Sequence, residues 1–533
     1  MAERKTAAGG DGSGTPKRRA PRSAAKPDPA PAAPASVPAT RRGSANRKAP
    51  VKSPAKRASA RAKREPLVSS QGTEAVVEQL SAAESIERGL AARAKVPIEA
   101  LGMWAPAANR PSPLSMLQEQ EAQRVQWLLP LRHGRMAASP FTFYRGAAKI
   151  MAYDLSISPS PGLVAQICGD AHLANFGLYG TPERRLVFDV NDFDETLPGP
   201  VEWDVKRLVA SMVIAGRDHG FKKRDQKAAA RQAAASYRTA MTEFANSPAL
   251  QVFYSSISDD DILNLLRVND PAAVKRGTKS LEKARSRTSL QVFDRLTEVV
   301  DGKRRIKTVA PTIYNMVDIP PGTTALGSLE QTDDILRAYR RTLSADRRRL
   351  LERYRLIDVA LKVVGVGSVG TRCFIALLEG ADEGDPLFLQ VKEADTSVLE
   401  PHLHRSRYKN HGERVVSGQR LMQAASDIFL GWITGPQEWD FYWRQLKDWK
   451  GGLDFTRLTP DIAVLYGGVC GWTLARAHAR SGDPLEIAGY LGSGEEFEDA
   501  MVSFAVAYAD QNELDYAQFM EGVKSGDIPV EQG

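Results

Sequence analysis

The chain has 533 residues, 42% of them hydrophobic, which is enough for two or three packed units and excludes a small scaffold. Its longest apolar stretches are interrupted by charged residues, its first ten residues lack the apolar segment of a secretory signal, and its three cysteines lie far apart. These features exclude a membrane span and a disulfide framework, and we expect a cytoplasmic, reduced protein.

Positive charge is concentrated near the N-terminus. Residues 1–65 contain 17 Lys and Arg against four acidic residues, a charge of +13, whereas the whole chain carries +8 and the remainder therefore −5. An acidic body argues against a folded nucleic-acid-binding face. Residues 1–66 are rich in Ala and Pro, which predicts a disordered tail. This tail is either a solubility segment or a weak, nonspecific contact for anions.

The segment 67–355 is predicted to form a mainly helical lobe. Two short β-branched runs inside it, 163–167 and 185–190, predict strands on either side of a loop. Apolar residues recur at helical spacing in the remaining parts of this segment. The predicted helices are 71–93, 111–131, 203–216, 222–245 and an Arg-rich helix at 331–355.

The segment 356–450 is predicted to be a strand-rich lobe. Strands at 356–364, 373–378 and 387–393 are joined by turns too short for parallel crossovers, so they form an antiparallel meander with a glycine loop at its first turn. A helix at 412–426 and a strand at 441–446 follow. Helices within 451–533 then complete the helical lobe.

The loop after the strand at 163–167 contains the first candidate site. Asp170 and Asn175 lie five positions apart, as in a kinase catalytic loop, where the Asp accepts a hydroxyl proton and the Asn binds a metal ion. Phosphoryl transfer needs both groups in a fixed relation. The alternative is a polar turn in which the two side chains satisfy local backbone groups.

An acidic cluster follows the strand at 185–190. Asp189, Asp192, Asp194 and Glu195 are four carboxylates within seven residues, and a divalent cation is the simplest way to relieve their repulsion. A kinase places its metal-binding Asp at such a position. The alternative is a solvated acidic turn at the start of the helix near Trp203.

The glycine loop and the strand after it contain candidate phosphate-binding groups. Gly365, Gly367 and Gly370, with Ser368 between them, form the pattern Gly-x-Gly-x-x-Gly, and the residues that follow predict a strand, whereas the dinucleotide-binding version needs a helix. Lys392 ends a later strand, as does the Lys that pairs with nucleotide phosphates in kinases. Glu413 opens the next helix and is the predicted partner of this Lys, with Glu400 in reserve.

Several motifs resemble the bacterial family called domain of unknown function 2252. They are Ser-Pro-Phe-Thr-Phe-Tyr-Arg-Gly at 139–146, Cys-Gly-Asp-Ala-His-Leu-Ala-Asn-Phe-Gly at 168–177, Asn-Asp-Phe-Asp-Glu at 191–195, and Trp-Thr-Leu-Ala-Arg-Ala-His-Ala-Arg-Ser-Gly-Asp at 472–483. The resemblance covers nearly all of the chain from about residue 90, and the family has no established activity.

More remotely, Gly-Asp-x-His-x-x-Asn at 169–175 resembles the catalytic loop of aminoglycoside phosphotransferases and protein kinases. The resemblance implies that Asp170 is the base, with His172 in support. Asn175 and Asp192 would bind Mg²⁺ together with the neighbouring Asp194, and Asp204 would brace the loop. ATP would be the phosphate donor. Two positions depart from the family pattern: Cys168 replaces a His, and Arg372 replaces a Val above the adenine.

Motif order also departs from that of kinases, which run from glycine loop and Lys to catalytic loop and metal-binding Asp. Here the catalytic loop comes first. If all the motifs act together, the chain is a circularly permuted, two-lobed α+β protein of protein-kinase-like fold, with a small antiparallel nucleotide lobe and a larger helical lobe. Permutation costs little where chain ends lie at the surface.

The sequence thus predicts an ATP- and Mg²⁺-dependent phosphotransferase acting on a hydroxyl of an unknown small molecule or protein. A metal-dependent phosphoesterase is the second possibility, provided that further histidines converge on Asp170. A nucleotide-binding pseudoenzyme or scaffold is the third. In the acceptor region, Phe141, Phe143, Tyr144 and Arg145 either frame an anionic or aromatic acceptor or are core packing plus one salt bridge.

Overall fold

A computed structural model describes residues 79–269, 271, 274–319, 329–446 and 449–531. The predicted tail at 1–66 and the domain boundary that follows it lie outside the described residues. In the described part of the chain no helix is long and apolar enough to cross a membrane.

Helices and antiparallel strands both contribute to the fold, which confirms the predicted α+β class. The helices are α1 Ala82–Lys95, α2 Ile98–Gly102, α3 Pro113–Glu121, α4 Leu129–Ala137, α5 Pro140–Gly146, α6 Ala148–Ser156, α7 Val201–Asp218, α8 Lys223–Ala245, α9 Ala249–Tyr254, α10 Asp259–Asn269, α11 Val274–Arg285, α12 Ser289–Leu296, α13 Leu329–Arg341, α14 Ala345–Leu351, α15 His411–Met422, α16 Pro460–Ala479, α17 Pro484–Leu491 and α18 Glu496–Ser525. The strands are β1 Val164–Ile167, β2 Phe176–Gly180, β3 Leu186–Val190, β4 Leu197–Pro200, β5 Ile257–Ser258, β6 Thr297–Val300, β7 Lys303–Ile306, β8 Ile313–Asn315, β9 Arg355–Lys362, β10 Cys373–Glu379, β11 Pro386–Glu393, β12 Gly431–Thr434 and β13 Asp440–Gln445.

The larger core is built around α7, which is buried from Val201 to Gly216. Helices α8, α16 and α18 pack around it. Small residues allow α8 and α16 to approach closely: a Cβ added at Gly471 of α16 would lie 2.1 Å from the carbonyl oxygen of Ala233 on α8. The Ala-rich sequence of α8 therefore serves helix packing as well as helix propensity.

The smaller core contains a six-stranded antiparallel sheet in the order β12-β13-β11-β10-β9-β8. Strands β9, β10 and β11 form the predicted meander, with the glycine loop at its first turn, and β10 rather than a helix follows that loop. This prediction is confirmed. Every residue of β10 is buried, because one face of the strand packs toward α13 and the other toward α12.

Two small sheets hold the loops that contain the sequence motifs. β1 pairs with β4, and β2 pairs with β3, both antiparallel. The loop from Cys168 to Asn175 therefore leaves β1 and enters β2, and the loop from Asn191 to Thr196 leaves β3 and enters β4. Both motif loops emerge beside the start of α7.

Some sequence-based boundaries were wrong. The single helix predicted at 331–355 is two helices, α13 and α14, separated by a turn around Leu343, and β9 already begins at Arg355. The run at 111–131 is likewise broken after Glu121, and a new helix begins at Leu129. Helical periodicity continued across both breaks, so apolar spacing alone did not reveal them.

Candidate active site

A cleft opens between the glycine loop and the two motif loops. Asp170 and Asn175 border it from the first loop, Asp192 and Asp194 from the second, and residues 365–368 from the glycine loop. The sequence separates these segments by almost two hundred residues, so their juxtaposition is a product of the tertiary fold.

Lys392 joins the sheet to the acidic loop. Its side chain is 2% exposed, and its Nζ lies 2.5 Å from Oδ2 of Asp194 and 3.4 Å from Oδ1 of Asp192. Tyr442 of the neighbouring strand β13 donates its hydroxyl to the other oxygen of Asp194 at 2.7 Å. Ser368 of the glycine loop donates to Asp194 at 3.3 Å. Asp194 therefore connects the loop, the sheet and the lysine.

The two carboxylates beside Lys392 differ in their electrostatics. Burial would raise the pKa of Asp194, but Lys392 and the Tyr442 hydroxyl outweigh burial and lower that pKa to about 2. For Asp192, burial and the adjacent Asp194 carboxylate raise the pKa above its usual value. Asp194 is therefore the firmly ionised member of the pair.

The other two members of the acidic cluster have structural partners. Asp189 is fully buried and forms an ion pair with Arg476 of α16. Glu195 accepts a hydrogen bond from the backbone N–H of Val398 at 2.8 Å. Of the four carboxylates in the cluster, only Asp192 and Asp194 face Lys392.

Asp204 holds the first motif loop through its backbone. Its two carboxylate oxygens accept hydrogen bonds from the N–H groups of Cys168 at 2.8 Å and Gly169 at 2.9 Å. His478 of α16 lies 3.3 Å from the same carboxylate. Because Asp204 is in the first turn of the rigid helix α7, this contact fixes the loop that carries Asp170.

Arg207, one turn further along α7, orients the Asp170 side chain. Its Nε and Nη2 lie 2.8 Å and 2.7 Å from Oδ1 of Asp170. Burial raises the pKa of Asp170, and the Arg207 charge opposes that rise. His172 is 3.8 Å from the other Asp170 oxygen, and burial followed by the charge of Arg145 holds the pKa of His172 well below its usual value. A neutral imidazole therefore stands beside Asp170.

Asn175 closes the loop on itself. Its side-chain nitrogen donates to the carbonyl oxygen of Asp170 at 2.7 Å. This contact turns the amide so that nitrogen faces the backbone, which leaves the amide oxygen as the group able to take a cation.

The glycine loop is held from outside by arginines. Arg132, which is fully buried, donates to the carbonyl oxygens of Val366 at 3.0 Å and Gly367 at 2.8 Å, and Arg135 donates to that of Gly365 at 2.7 Å. Gly365 has φ +62°, and a Cβ at Gly367 would lie 3.0 Å from the carbonyl oxygen of Arg145. Glycine is required here for positive φ at one position and close backbone approach at another.

The predicted pairing of Glu413 with Lys392 is wrong. Lys392 forms its ion pairs with Asp192 and Asp194, and the Glu413 backbone N–H donates to the helix-capping side chain of Asn410. The adjacent residue of α15, Arg414, points toward the site and donates to the carbonyl oxygens of Asp194 at 2.9 Å and Thr196 at 2.8 Å. The predicted helix is correctly placed, but the neighbouring residue contacts the site.

The reserve partner also faces elsewhere. One carboxylate oxygen of Glu400 lies 3.8 Å from His411 and 4.0 Å from Arg414. Neither glutamate therefore contacts Lys392.

Sequence reasoning also missed Arg207, Arg414 and Tyr442. No local motif marks these residues, since each acts across the fold. The alternation of β13, which pairs Tyr442 with Lys392 across the strands, was the one signal that could have identified Tyr442. Two interpretations were open for Phe141, Phe143 and Tyr144, an acceptor site or core packing. All three side chains are buried in the core.

The histidines do not gather around Asp170 as a two-metal hydrolase requires. His478 contacts Asp204 and Tyr237, His411 lies near Glu400, and His402 packs against Tyr153. Across residues 79–531, as far as they are described, no three His, Cys, Asp or Glu side chains form a group suited to a metal ion.

Comparison with known proteins identifies one family. A family model described as "Uncharacterized protein conserved in bacteria (DUF2252)" matches residues 124–522. No curated protein and no solved structure matches the chain. The matched range includes both motif loops, the glycine loop and Lys392.

Proposed function

The chain belongs to the DUF2252 family of uncharacterised bacterial proteins, and we propose its function from the geometry of the cleft. In this proposal the protein transfers a phosphoryl group from a nucleoside triphosphate, with Mg²⁺, to a hydroxyl group. The observation that carries this proposal is the 2.5 Å contact between Lys392 and Asp194 beneath the glycine loop. Kinases use a strand lysine for the phosphates and an aspartate for the cation, and the two must be adjacent.

The side chains of the cleft fit a magnesium ion bound to phosphates. Mg²⁺ prefers oxygen ligands and is commonly held by one or two carboxylates, with waters and phosphates completing its shell. Asp194, Asp192 and the amide oxygen of Asn175 are the groups that would hold it. When bound, the cation would neutralise negative charge on the transferred group. Lys392 would then be released from Asp194 to contact the phosphates.

Asp170 is the proposed base. Asp204 holds the backbone of the two preceding residues and Arg207 holds the Asp170 carboxylate, so its position is fixed before a substrate arrives. A hydroxyl placed beside Asp170 would donate its proton to the carboxylate while the phosphoryl group moves toward the hydroxyl oxygen.

A circularly permuted kinase-like fold is also proposed. In favour of it, the Lys strand β11 is the third strand of a meander whose first turn is the glycine loop, and a helix, α15, follows. In addition, α16 ends beside the strand that leads into the catalytic loop: the backbone N–H of Gln166 on β1 donates to Ser481 at 3.1 Å. Kinases connect such a helix directly to that loop, so a permutation would only have cut and moved this link.

The sheet face behind Lys392 differs from an open base-binding pocket. Arg444 spans this region, donating to Gln390 at 2.9 Å and to the carbonyl oxygen of Asn191 at 3.1 Å. Further along the same face, Ile375 and Phe388 are buried against α12. This face does not indicate which nucleobase the donor carries. Donor assays should therefore compare all four nucleoside triphosphates and inorganic polyphosphate.

The proposal is tested by measuring Mg²⁺-dependent loss of the terminal phosphate from each donor, first with water and then with a metabolite collection as acceptor. Asp170→Asn and Asp194→Asn should abolish turnover, and Asp510→Asn, at an exposed site on α18, should not. A donor at one hundred times its Kd should stabilise the fold by about 2.7 kcal/mol. Stabilisation without turnover would identify a scaffold. The absence of both stabilisation and turnover would refute nucleotide binding.

A further inference from the structure

Arg145 of α5 is a cation in the cleft that forms no direct ion pair among the described residues. It borders the cleft together with Asp170 and His172, and its Nε is buried without a hydrogen-bond partner. Asp170 feels the charge of Arg145 but forms its ion pair with Arg207. In the described part of the chain, no carboxylate lies within salt-bridge distance of Arg145. The sequence allowed the interpretation that Arg145 forms a structural salt bridge, and the described residues contain no such salt bridge.

Arg124 is a second guanidinium that borders the cleft, where it contacts the glycine loop. Its Nη1 donates to the carbonyl oxygen of Val369 at 2.6 Å, and its Nε is buried without a partner. Leaving such groups unpaired is costly, because removing a charge from water is compensated only by a counter-charge or hydrogen bonds. The planar donors of arginine match the oxygens of phosphates and carboxylates. The cleft thus contains guanidinium groups suited to an anion as well as carboxylates suited to a cation.

Arg145 lies near Asp170, the base of the proposed reaction. Lys392 is paired with Asp192 and Asp194, where the donor phosphates and the cation would bind. Asp170 and His172 both feel the charge of Arg145, and all three residues border the cleft. A hydroxyl that meets Asp170 therefore extends the rest of its molecule toward Arg145.

We infer that the acceptor carries an anionic group, a phosphate or a carboxylate, a few bonds from its reactive hydroxyl, and that Arg145 binds this group. The inference rests on the proposed phosphotransferase function for the meaning of Asp170. It narrows the acceptor class to phosphorylated sugars or alcohols, nucleotides and hydroxy acids.

The anion site itself is tested without nucleotide. Orthophosphate is titrated into the full chain by calorimetry, in the absence of Mg²⁺, and Arg145→Gln should weaken its binding by about tenfold or more. Arg349→Gln, at an exposed position on α14, is the matched control and should leave binding unchanged. Equal phosphate affinity in Arg145→Gln and the unmodified protein would overturn the inference. If Arg145→Gln does not fold, Arg145→Lys replaces it. Weaker phosphate binding is still expected, because lysine lacks the planar, paired N–H donors of the guanidinium group.

A second arm separates acceptor from donor. Orthophosphate should still bind when the protein is saturated with a non-hydrolysable triphosphate analogue and Mg²⁺, and Arg145→Gln should leave the affinity for that analogue within about twofold. Displacement of phosphate by the analogue, or a large loss of analogue affinity in Arg145→Gln, would assign Arg145 to the donor and overturn the inference.

The two proposals fail separately. Phosphate binding that depends on Arg145, without any nucleotide binding, would refute the phosphotransferase and leave an anion site. Nucleotide turnover that requires Asp170, without an Arg145-dependent phosphate site, would uphold the enzyme and refute the anionic acceptor.

Discussion

Lys392 on β11 and Asp194 in the loop after β3 form a 2.5 Å ion pair although 198 residues separate them in the chain. The lysine is almost completely buried, whereas Asp194 retains access to the cleft. The contact joins the sheet to the helical core at the place where a substrate would enter. Its structural contribution can be measured separately from the proposed chemistry.

Replacing Lys392 by Met should destabilise the fold. Asp192 and Asp194 would lose their shared counter-charge, and breaking a buried pair by removing one partner costs about 3–5 kcal/mol. The double variant Lys392→Met with Asp194→Asn should be less unstable than the sum of the single changes, because one of the two uncompensated charges is gone. Denaturant unfolding measures all three, with Lys227→Met on the exposed side of α8 as control. Additive effects would show that the pair contributes nothing as a unit.

Asp204→Asn should loosen the first motif loop. One carboxylate oxygen becomes an amide donor facing a backbone N–H of Cys168 or Gly169, so a hydrogen bond is lost and a buried donor is left unsatisfied. The expected loss of stability is about 2–4 kcal/mol. Hydrogen exchange should show faster exchange of these two amides. Protection equal to that of the unmodified protein would mean that other contacts hold the loop.

The sequence sufficed for features that depend on local pattern. The meander around the glycine loop follows from strand periodicity and short turns, and Asp170, Asn175, Asp192, Asp194 and Lys392 were selected as candidates by type and spacing. Their meeting in one cleft was a hypothesis about motif order, which no local pattern could test. The contact between Lys392 and Asp194 supplies that long-range information.

Residues that act across the fold were not predictable from local pattern. Glu413 was chosen because it opens a helix and carries the right charge, but helix rotation presents Arg414 to the site. Two interpretations of Arg145 were open, binding of an acceptor or a structural salt bridge. The sequence could not decide between them because a salt bridge depends on a partner distant in the chain. Helix phase and ion pairing are set by tertiary packing, whereas motif identity is set by chemistry.

Arg207 should act as a positioning residue for Asp170. Arg207→Gln removes the charge that opposes the burial-driven rise in the pKa of Asp170, and it frees the carboxylate to rotate. If the chain has the proposed activity, kcat should fall by roughly 10²-fold with KM for the nucleotide little changed, and the pH at half-maximal rate should increase. Arg207→Lys should recover part of the rate. A KM effect alone would place Arg207 in substrate binding.

Lys206 gives a prediction about pH and stability that does not depend on the proposed activity. This residue of α7 is 1% exposed, and its Nζ lies 4.7 Å from the ring centroid of Phe504. Burial lowers its pKa from 10.5 to about 8, partly offset by Glu202. At pH values between these two pKa values, Lys206 is protonated in a larger fraction of unfolded chains than of folded chains. Stability from this residue is therefore smallest below about pH 8 and rises as the pH approaches 10.5.

Lys206→Met should remove this pH dependence. The free energy of unfolding of the unmodified protein, relative to the variant, should increase by about 1–3 kcal/mol between pH 7 and pH 10. Comparing the two proteins at each pH cancels the titration of tyrosines and other groups that they share. Denaturant unfolding in matched buffers provides the measurement, and Lys227→Met, at an exposed position, should run parallel to the unmodified protein. Parallel curves for Lys206→Met as well would mean that Lys206 reaches water and keeps its ordinary pKa in the fold.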